Sequence, residues 1–262
     1  MQFMFPADPI FVDRVDSYFE PQVSALTAPY GRAAIFSIEE AKVVRVKKGE
    51  TIVYRGWMVN AEEYDRMRML VEQSGGKLLT NLDRYLNTHH IPNWYPALRE
   101  FTAETFVIDN ARLNGGCNLV AELKKLGWEK FFLKDFVKSL KTAGGSLINS
   151  PEEAPRVVEL MEKYRGALEG GLCIRKCENL FDEKRYFIVN KKVWSPAIRE
   201  TDRELLNTIA GRINSPFFSV DVAHNESGQP RVVEIGDGQV SDLVGWDPEF
   251  FRKIFGDIES LT

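Results

Sequence analysis

Short β-branched and aromatic runs alternate with helical patterns along the chain. Strands are predicted at residues 33–36, 51–57, 106–108, 130–134, 171–176, 184–190, 217–223 and 230–235. Between them, Tyr64, Met67 and Val71 recur at helical spacing before a glycine stop, and another helical pattern opens with Ser150 as cap and Pro151 in its first turn. This alternation predicts a mixed α/β or α+β protein rather than a barrel or a bundle.

The two halves of the chain differ in residue composition and in their predicted elements. Residues 1–127 hold a helix-rich, aromatic stretch, whereas residues 128–262 hold most of the predicted strands and most of the clustered charges. A domain boundary near Gly127 is therefore predicted, with at most a short linker, because the helix that ends there leads directly into the next strand.

The net charge and the number of cysteines argue against several classes of protein. A net charge of -4 over 262 residues argues against a protein built to coat nucleic acid, and three scattered cysteines are too few for a disulfide framework or a four-ligand zinc site. The sequence shows neither an apolar stretch of the ~18 residues that a membrane span needs nor the basic, apolar start of a signal peptide. We therefore expect a soluble, cytoplasmic protein that does not contact a membrane.

A lysine- and glycine-containing stretch follows the strand at 130–134. Lys134 ends the strand, and Lys138, Lys141 and two glycines follow. Glycine lets backbone N–H groups approach an anion, and lysine supplies charge against phosphate, so the stretch is compatible with a phosphate cradle. The lysines precede the glycines, unlike in a P-loop, and an ordinary solvated surface loop remains an alternative.

Residues 171–194 read as two strands around an acidic turn. Arg175 and Arg185 lie on the strands, and Glu178, Asp182 and Glu183 lie between them. One interpretation is a solvated hairpin with cross-strand ion pairs. The other is a strand that leads into a hinge whose backbone reads an adenine edge, with a following carboxylate for the ribose hydroxyls.

Two acids sit within the last predicted strands. Asp221 and Glu234 are joined by the turn at 224–230, so a hairpin would let the carboxylates converge. Two carboxylates with phosphate oxygens and water are the usual ligands of Mg²⁺. Salt bridges to arginine or lysine explain the two acids equally well, and for Arg55 a substrate carboxylate or a structural ion pair is likewise open.

Taken in order, these stretches resemble the catalytic half of the ATP-grasp superfamily. "FFLKDF", "CIRKCENLFDEKRYFIV", "SVDVA" and "VVEIGDGQVSDL" carry the likeness, and the ending is the most specific of them. The chain is most similar to the small clade named for two arginines and a lysine, whose members are associated with phage and toxin systems. "VYRGWMVNAEEYDRM" and "HHIPNWYP" resemble that clade's front domain.

The resemblance implies an ATP-grasp fold and a ligase mechanism. Two α+β subdomains, at about 128–176 and 177–262, would clasp ATP behind an N-terminal α/β domain. A substrate carboxylate on a small molecule or peptide takes the γ-phosphoryl group, and an amine or related nucleophile attacks the acyl phosphate. The implied cofactors are ATP and Mg²⁺.

The family pattern also implies roles for individual residues. Those implied to bind the nucleotide are Lys134, Lys138, Lys141, Lys176 and Cys177, with Glu183 at the ribose. Asp221 and Glu234 would hold Mg²⁺.

Two positions depart from the commoner ligases. Gly236 stands where those ligases place an asparagine, so Asp237, Gln239 or water would complete the metal shell. Ser219 stands where many place an arginine, so the catalytic charge would come from Arg199, Arg185 or Arg175. These departures are compatible with a relative that has lost turnover. The two alternatives to a ligase are a kinase-like phosphotransferase and a non-catalytic nucleotide- or partner-binding module such as an immunity protein.

Overall fold

The computed structural model describes residues 1–137, 145–165 and 167–257, apart from the side chains of residues 165 and 257. Lys138 and Lys141 lie outside the described residues. The chain divides into two compact units. The first unit holds Met1–Thr88, Arg185–Asp221 and the residues from Glu234 onward, and the second holds His89–Lys184 and Val222–Val233. The boundary predicted near residue 127 falls inside the second unit.

The N-terminal part of the first unit forms a five-stranded sheet, which we call the front sheet. Its strands are β1 (Gln2–Pro6), β2 (Ala34–Ser37), β3 (Lys42–Val44), β4 (Thr51–Tyr54) and β5 (Lys77–Leu78), in the order β3-β2-β1-β4-β5. All pairs are parallel except β2 with β3. The central strand β1 is buried along its whole length, as expected for a parallel strand covered on both faces.

The first unit carries helices α1 (Glu20–Tyr30), α2 (Ala61–Gln73), α8 (Arg203–Arg212) and α9 (Pro248–Arg252), and α3 (Leu82–His89) ends at its boundary. Helix α2 confirms the predicted pattern. Asn60 and Glu63 form a reciprocal capping box at its start, and Tyr64, Met67 and Val71 are buried on one face.

A second sheet has the order β11-β10-β12-β13. Its strands are β10 (Phe181–Val189), β11 (Lys192–Trp194), β12 (Phe217–His224) and β13 (Pro230–Asp237). In the first unit, residues from both sheets share one aromatic-rich core, whose members include Phe3, Phe5, Phe187, Phe217, Trp246, Phe251 and Phe255.

The second unit contains an antiparallel sheet of order β6-β9-β7-β8. Its strands are β6 (Thr105–Asp109), β7 (Phe131–Asp135), β8 (Leu147–Ile148) and β9 (Gly171–Lys176). Its helices are α4 (Ile91–Leu98), α5 (Asn110–Asn114), α6 (Leu119–Leu126) and α7 (Ala154–Arg165). Short 3-10 turns occupy Ser17–Phe19, Pro151–Glu153, Glu200–Asp202 and Lys253–Asp257.

Of the two interpretations of residues 171–194, the hairpin is wrong. Strand β9 pairs with β6 and β7, whereas β10 pairs with β11 and neighbours β12, so the two strands belong to different sheets. Strand β10 also begins at Phe181, which places Asp182 and Glu183 in the strand rather than in a turn. Arg175 and Arg185 consequently lie in different units.

Candidate functional site

The two faces of the second unit's sheet differ in chemistry. One face packs against the helices through apolar side chains, among them Ile108, Phe131, Leu133, Leu172 and Ile174. Strand alternation turns the intervening residues to the other face, and there Lys134 lies directly opposite Cys173 and Phe132 opposite Arg175. The second unit therefore places a lysine and an arginine on the sheet face opposite the one that packs into this apolar core. We call this the cationic face.

Lys134 is buried on the cationic face, with only 4% of its surface exposed. Burial raises the pKa of its neighbour Cys173 to about 12, while the charges of Lys134 and Arg175 act in the opposite direction. Cys173 is therefore a neutral thiol near pH 7 and not an activated nucleophile. The ionisable chemistry that this face offers is positive charge.

Arg175 connects three parts of the second unit. Its guanidinium donates to the carbonyl oxygen of Val233 at 2.6 Å and to the hydroxyl of Thr102 at 2.5 Å. These bonds hold the arginine in one orientation on the cationic face. A catalytic role for Arg175 stays a prediction.

The N–H groups at the end of β9 have partners within the sheet. The N–H of Lys176 donates to the carbonyl of Glu104 at 2.8 Å, and that of Cys177 donates to the carbonyl of Lys130 at 3.2 Å. Any adenine contact made by the backbone of these two residues would therefore fall to their carbonyl oxygens. The side chain of Glu183, predicted for the ribose, is exposed on β10.

In the first unit, Arg185 and Asp221 form a bidentate ion pair. Arg185 Nε and Nη2 lie 2.8 and 2.5 Å from the two oxygens of Asp221, and the pair is mostly buried. Arg185 Nη1 also donates to the main-chain oxygen of Asp242 at 3.0 Å. Arg185, one of the three arginines proposed to compensate for Ser219, therefore contacts Asp221 directly. Arg199 precedes a 3-10 turn, where its carbonyl accepts the N–H of Asp202.

Glu234 extends this pair into a row. The Gly238 N–H donates to the Phe217 carbonyl, and Gly236 contacts the hydroxyl of Ser219, which sets the register between β12 and β13. Two residues further along β12 and two residues back along β13, the same antiparallel register places Glu234 opposite Asp221. Burial lowers the pKa of Arg185, but its bonds to Asp221 and the charges of Asp221 and Glu234 outweigh burial and raise that pKa overall.

The positions that depart from the commoner ligases are small and packed together. The hydroxyls of Ser219 and Ser241 lie 2.7 Å apart. A Cβ added at Gly236 would lie 2.8 Å from Ser241 Oγ and 3.1 Å from Ser219 Oγ. An asparagine at position 236 would therefore require one of these serines to move.

Asp237 and Gln239 turn into the core of the first unit. Asp237 lies three residues after Glu234 on β13, so strand alternation puts it on the opposite face. Its carboxylate accepts hydrogen bonds from the N–H and side chain of Gln239 and from Thr88. Gln239 in turn contacts the main-chain N–H of Tyr54 and the hydroxyl of Tyr64.

These orientations change the predicted metal-binding set. In the described ranges 1–137, 145–165 and 167–257, no three Asp, Glu, His or Cys side chains form a group that could hold a metal ion. We therefore drop Asp237 and Gln239 from the set and retain Asp221 with Glu234. The spacing of three residues from Glu234 to Asp237 was a signal in the sequence for their opposite faces.

Asp237 should make stability depend on pH. Burial raises the pKa of Asp237 to about 7, against the opposing effects of hydrogen bonds from Gln239 and Thr88 and of the Arg55 charge. The folded protein therefore binds this proton more tightly than the unfolded chain, and the stabilisation is lost as pH rises from about 4 through about 7. Asp237→Asn keeps the acceptor for Gln239 and removes the titration. We expect its free energy of unfolding, relative to wild type, to rise by roughly 2–4 kcal/mol between pH 4 and pH 8. Urea titrations at both pH values measure this difference, and a pH-independent difference would contradict the assignment.

Arg55 is a structural residue whose partners the sequence left open. It is buried, and its guanidinium donates to Gln22 Oε1, to the carbonyl of Gly238 and, at 2.9 Å, to the carbonyl of Ser241. The central carbon of the Arg55 guanidinium, Cζ, lies 4.8 Å from the centre of the Phe251 ring. Arg55 thus fastens the turn after β13 to the front sheet through neutral oxygen acceptors.

Comparisons with known proteins agree with this architecture. A family model described as an ATP-grasp domain, family 3 of the clade named for two arginines and a lysine, matches residues 122–254. No curated protein sequence matches the chain closely enough to count as a relative. Among the described residues, no helix is both long and apolar enough to cross a membrane.

Several solved ATP-grasp ligases share the fold. D-cycloserine synthetase DcsG superposes with a TM-score of 0.69 at 14% identity, covering 98% of this chain and 99% of that one. D-alanine–D-alanine ligase from Bacillus anthracis, complexed with ATP, gives a TM-score of 0.64 at 14% identity, covering 98% and 95%. Macrocyclase MdnC from Microcystis aeruginosa MRC, bound with precursor peptide MdnA, gives 0.63 at 10% identity, covering 100% of both chains. The family match spans half of the chain, and the chain belongs to family 3 of the ATP-grasp clade named for two arginines and a lysine.

Proposed function

We propose that the protein is an ATP-dependent ligase that joins a carboxylate to an amine or a related nucleophile through an acyl phosphate. The observation that carries the proposal is the cationic face, where Lys134 is held buried and Arg175 is fixed by two hydrogen bonds. Triphosphate is the small anion that this family uses, and solved structures that share the fold are ligases. The acceptor is a small molecule or a peptide, and the location is cytoplasmic. The association with phage or toxin systems also stays a prediction.

The proposed reaction has two steps, phosphoryl transfer and amide bond formation. A carboxylate oxygen of the substrate bonds to the γ-phosphorus as the bond from that phosphorus to the β,γ-bridging oxygen breaks, giving ADP and an acyl phosphate. The amine then forms the C–N bond, and the carboxylate oxygen leaves with inorganic phosphate while the amine loses its proton. Lys134 neutralises phosphate charge and thereby stabilises the phosphoryl transfer step.

The donor set fits a magnesium ion. Asp221 and Glu234 provide hard carboxylate oxygens, and Mg²⁺ is commonly held by one or two carboxylates together with phosphate oxygens and water. Arg185 holds Asp221 in one orientation. Because a carboxylate oxygen has more than one lone pair, pairing with an arginine and coordination of a cation are compatible. When bound, Mg²⁺ supplies further positive charge against the phosphates.

Product analysis tests the proposed reaction. The purified chain is incubated with ATP, Mg²⁺ and panels of amino acids and peptides, and ADP and phosphate are measured. A ligase releases both products only when acceptor and nucleophile are present, and hydroxylamine as a substitute nucleophile converts the acyl phosphate into a hydroxamate. ADP with a stable phosphorylated product would instead identify a phosphotransferase.

Substitution of the two acids tests the metal assignment. We expect Glu234→Gln to abolish the Mg²⁺-dependent part of the thermal shift that ATP produces, because one metal ligand is lost while the Arg185–Asp221 pair remains. Asp221→Asn should lose the same part and also lower the melting temperature without ligand, because Arg185 loses its counter-charge. Glu226→Gln, at the exposed turn between the same two strands, is the matched control. An unchanged Mg²⁺ response in Glu234→Gln would contradict the assignment.

A second candidate function rests on Ser219 and Gly236. The small residues at these two positions favour a protein that keeps nucleotide binding without turnover. Such a protein would show the ATP-dependent thermal shift but release no ADP with any acceptor, and Glu234→Gln would leave binding to its partner intact.

A further inference from the structure

The first unit carries a small cavity beside the Arg185–Asp221 pair. Its volume is about 380 Å³, and its walls come from the 3-10 turn Ser17–Phe19, from α1, from the segment after β13 and from the start of α9. The lining residues are Tyr18, Pro21, Gln22, Asp242, Leu243, Val244 and Pro248. Within the part of the chain that the structure describes, Asp242 is the carboxylic acid of this lining, and no lysine, arginine or histidine belongs to it. The cavity therefore combines one negative charge with aromatic and aliphatic walls.

The ring of Tyr18 lines this cavity, and the ring of Trp57 packs against it. Tyr18 is 54% exposed and Trp57 is 46% exposed, and their ring centres lie 4.6 Å apart. The indole N–H of Trp57 donates to Asp16 at 2.9 Å, and the hydroxyl of Tyr18 points to Asp242 at 3.4 Å. The negative charge of Asp242 raises the pKa of Tyr18. Exposed ring faces held beside carboxylates are suited to an organic cation.

The cavity is connected to the predicted reaction centre through a single residue. The main-chain oxygen of Asp242 accepts a hydrogen bond from Arg185, whose other nitrogens bind Asp221. Two arginines interact electrostatically with Asp242: Arg185 is paired with Asp221, and Arg55 is bonded to Gln22 and to main-chain carbonyls. A ligand bound to the Asp242 side chain would therefore be close to Arg185, which holds the predicted metal ligand Asp221.

We infer that this cavity binds the ammonium end of an aliphatic amine and that the amine belongs to the substrate of the proposed ligase. That the amine is a substrate rests on the proposed function, but binding of the amine needs neither ATP nor turnover. Asp242 supplies the counter-charge, Tyr18 supplies a ring face, and Leu243 with Val244 contacts the aliphatic stem. The charge of Asp242 disfavours a carboxylate or a phosphate in the same place.

Three matched probes test the inference on the full chain without nucleotide. Pentylamine, pentan-1-ol and pentanoate share one aliphatic stem and differ in charge, and ligand-observed NMR titrations measure their binding. We expect saturable binding of pentylamine, at least threefold tighter than that of pentan-1-ol, and no saturation with pentanoate. Equal binding of the amine and the alcohol, tighter binding of pentanoate, or no saturation by pentylamine would overturn the inference.

Variants identify the residues responsible. Asp242→Asn and Tyr18→Leu should each weaken pentylamine binding threefold or more, whereas Tyr18→Phe keeps the ring and should bind normally. Glu249→Gln, an exposed acid on α9 outside the cavity lining, is the control and should not change binding. The thermal shift by ATP and Mg²⁺ should persist in Asp242→Asn, so failure of this inference and failure of the proposed function give different results. Unchanged amine binding in Asp242→Asn would also overturn it.

Discussion

Replacing Lys134 with methionine should lower ATP-dependent ADP release about a hundredfold or more. Methionine keeps most of the length of the buried side chain but removes the positive charge from the cationic face. Loss of a single preorganised charge or donor at a reacting group typically costs 10²–10³ in turnover, because the surrounding protein cannot reorganise to replace it. Steady-state kinetics with a coupled ADP assay measure the effect.

The control for this variant is Lys130→Met. Lys130 is exposed just before β7, and its main-chain oxygen, which the substitution keeps, accepts the N–H of Cys177. We expect Lys130→Met to retain wild-type turnover and Lys134→Arg to recover part of the activity, because Arg restores the charge with a different shape. Thermal unfolding of all three variants separates lost chemistry from lost stability. Turnover by Lys134→Met within threefold of wild type would refute the role of Lys134.

Replacing Arg55 with methionine should destabilise the protein by about 3–5 kcal/mol. The change leaves Gln22 and the carbonyls of Gly238 and Ser241 buried without their donor, and removal of one partner from a buried charged network typically costs this amount. Burial lowers the pKa of Arg55 to about 10, which still leaves the guanidinium charged at neutral pH. Urea unfolding monitored by tryptophan fluorescence measures the difference.

An exposed arginine provides the comparison for Arg55. Arg66 is half exposed on α2 and pairs with Glu62 across one helical turn. Arg66→Met should change the free energy of unfolding by less than about 0.5 kcal/mol, because exposed pairs of this kind contribute little. Equal effects from the two substitutions would show that the Arg55 network does not fasten the turn after β13.

Local pattern was enough to find most of the described strands but only some of the helices. The strand predicted at 171–176 has those bounds, and α2 ends just before the glycines that the pattern indicated. Strand β1 was missed because five residues at the start of a chain, all buried, show no alternation for a pattern to detect. The acidic stretch after Cys177 looked like a turn because acids are common in turns, but sheet pairing elsewhere in the chain draws Asp182 and Glu183 into β10.

The candidate site shows the same division between local and long-range information. The pairing of Asp221 with an arginine could be anticipated, but the choice of Arg185 depends on β10 lying next to β12, which sequence spacing does not specify. The carbonyl partners of Arg55 lie more than 180 residues away in sequence. Such contacts depend on topology and packing and leave no periodic signal in the chain.

The first unit is assembled from three separated segments of the chain, and this has a consequence during synthesis. Phe3 and Phe5 pack in one core with Trp246, Phe251 and Phe255, so this face of the front sheet stays exposed until residues 246–255 have been made. Most of the second unit is complete earlier. We therefore expect slow folding dominated by contacts between distant residues, with the N-terminal strands exposed to chaperones or to aggregation while the ribosome completes the chain.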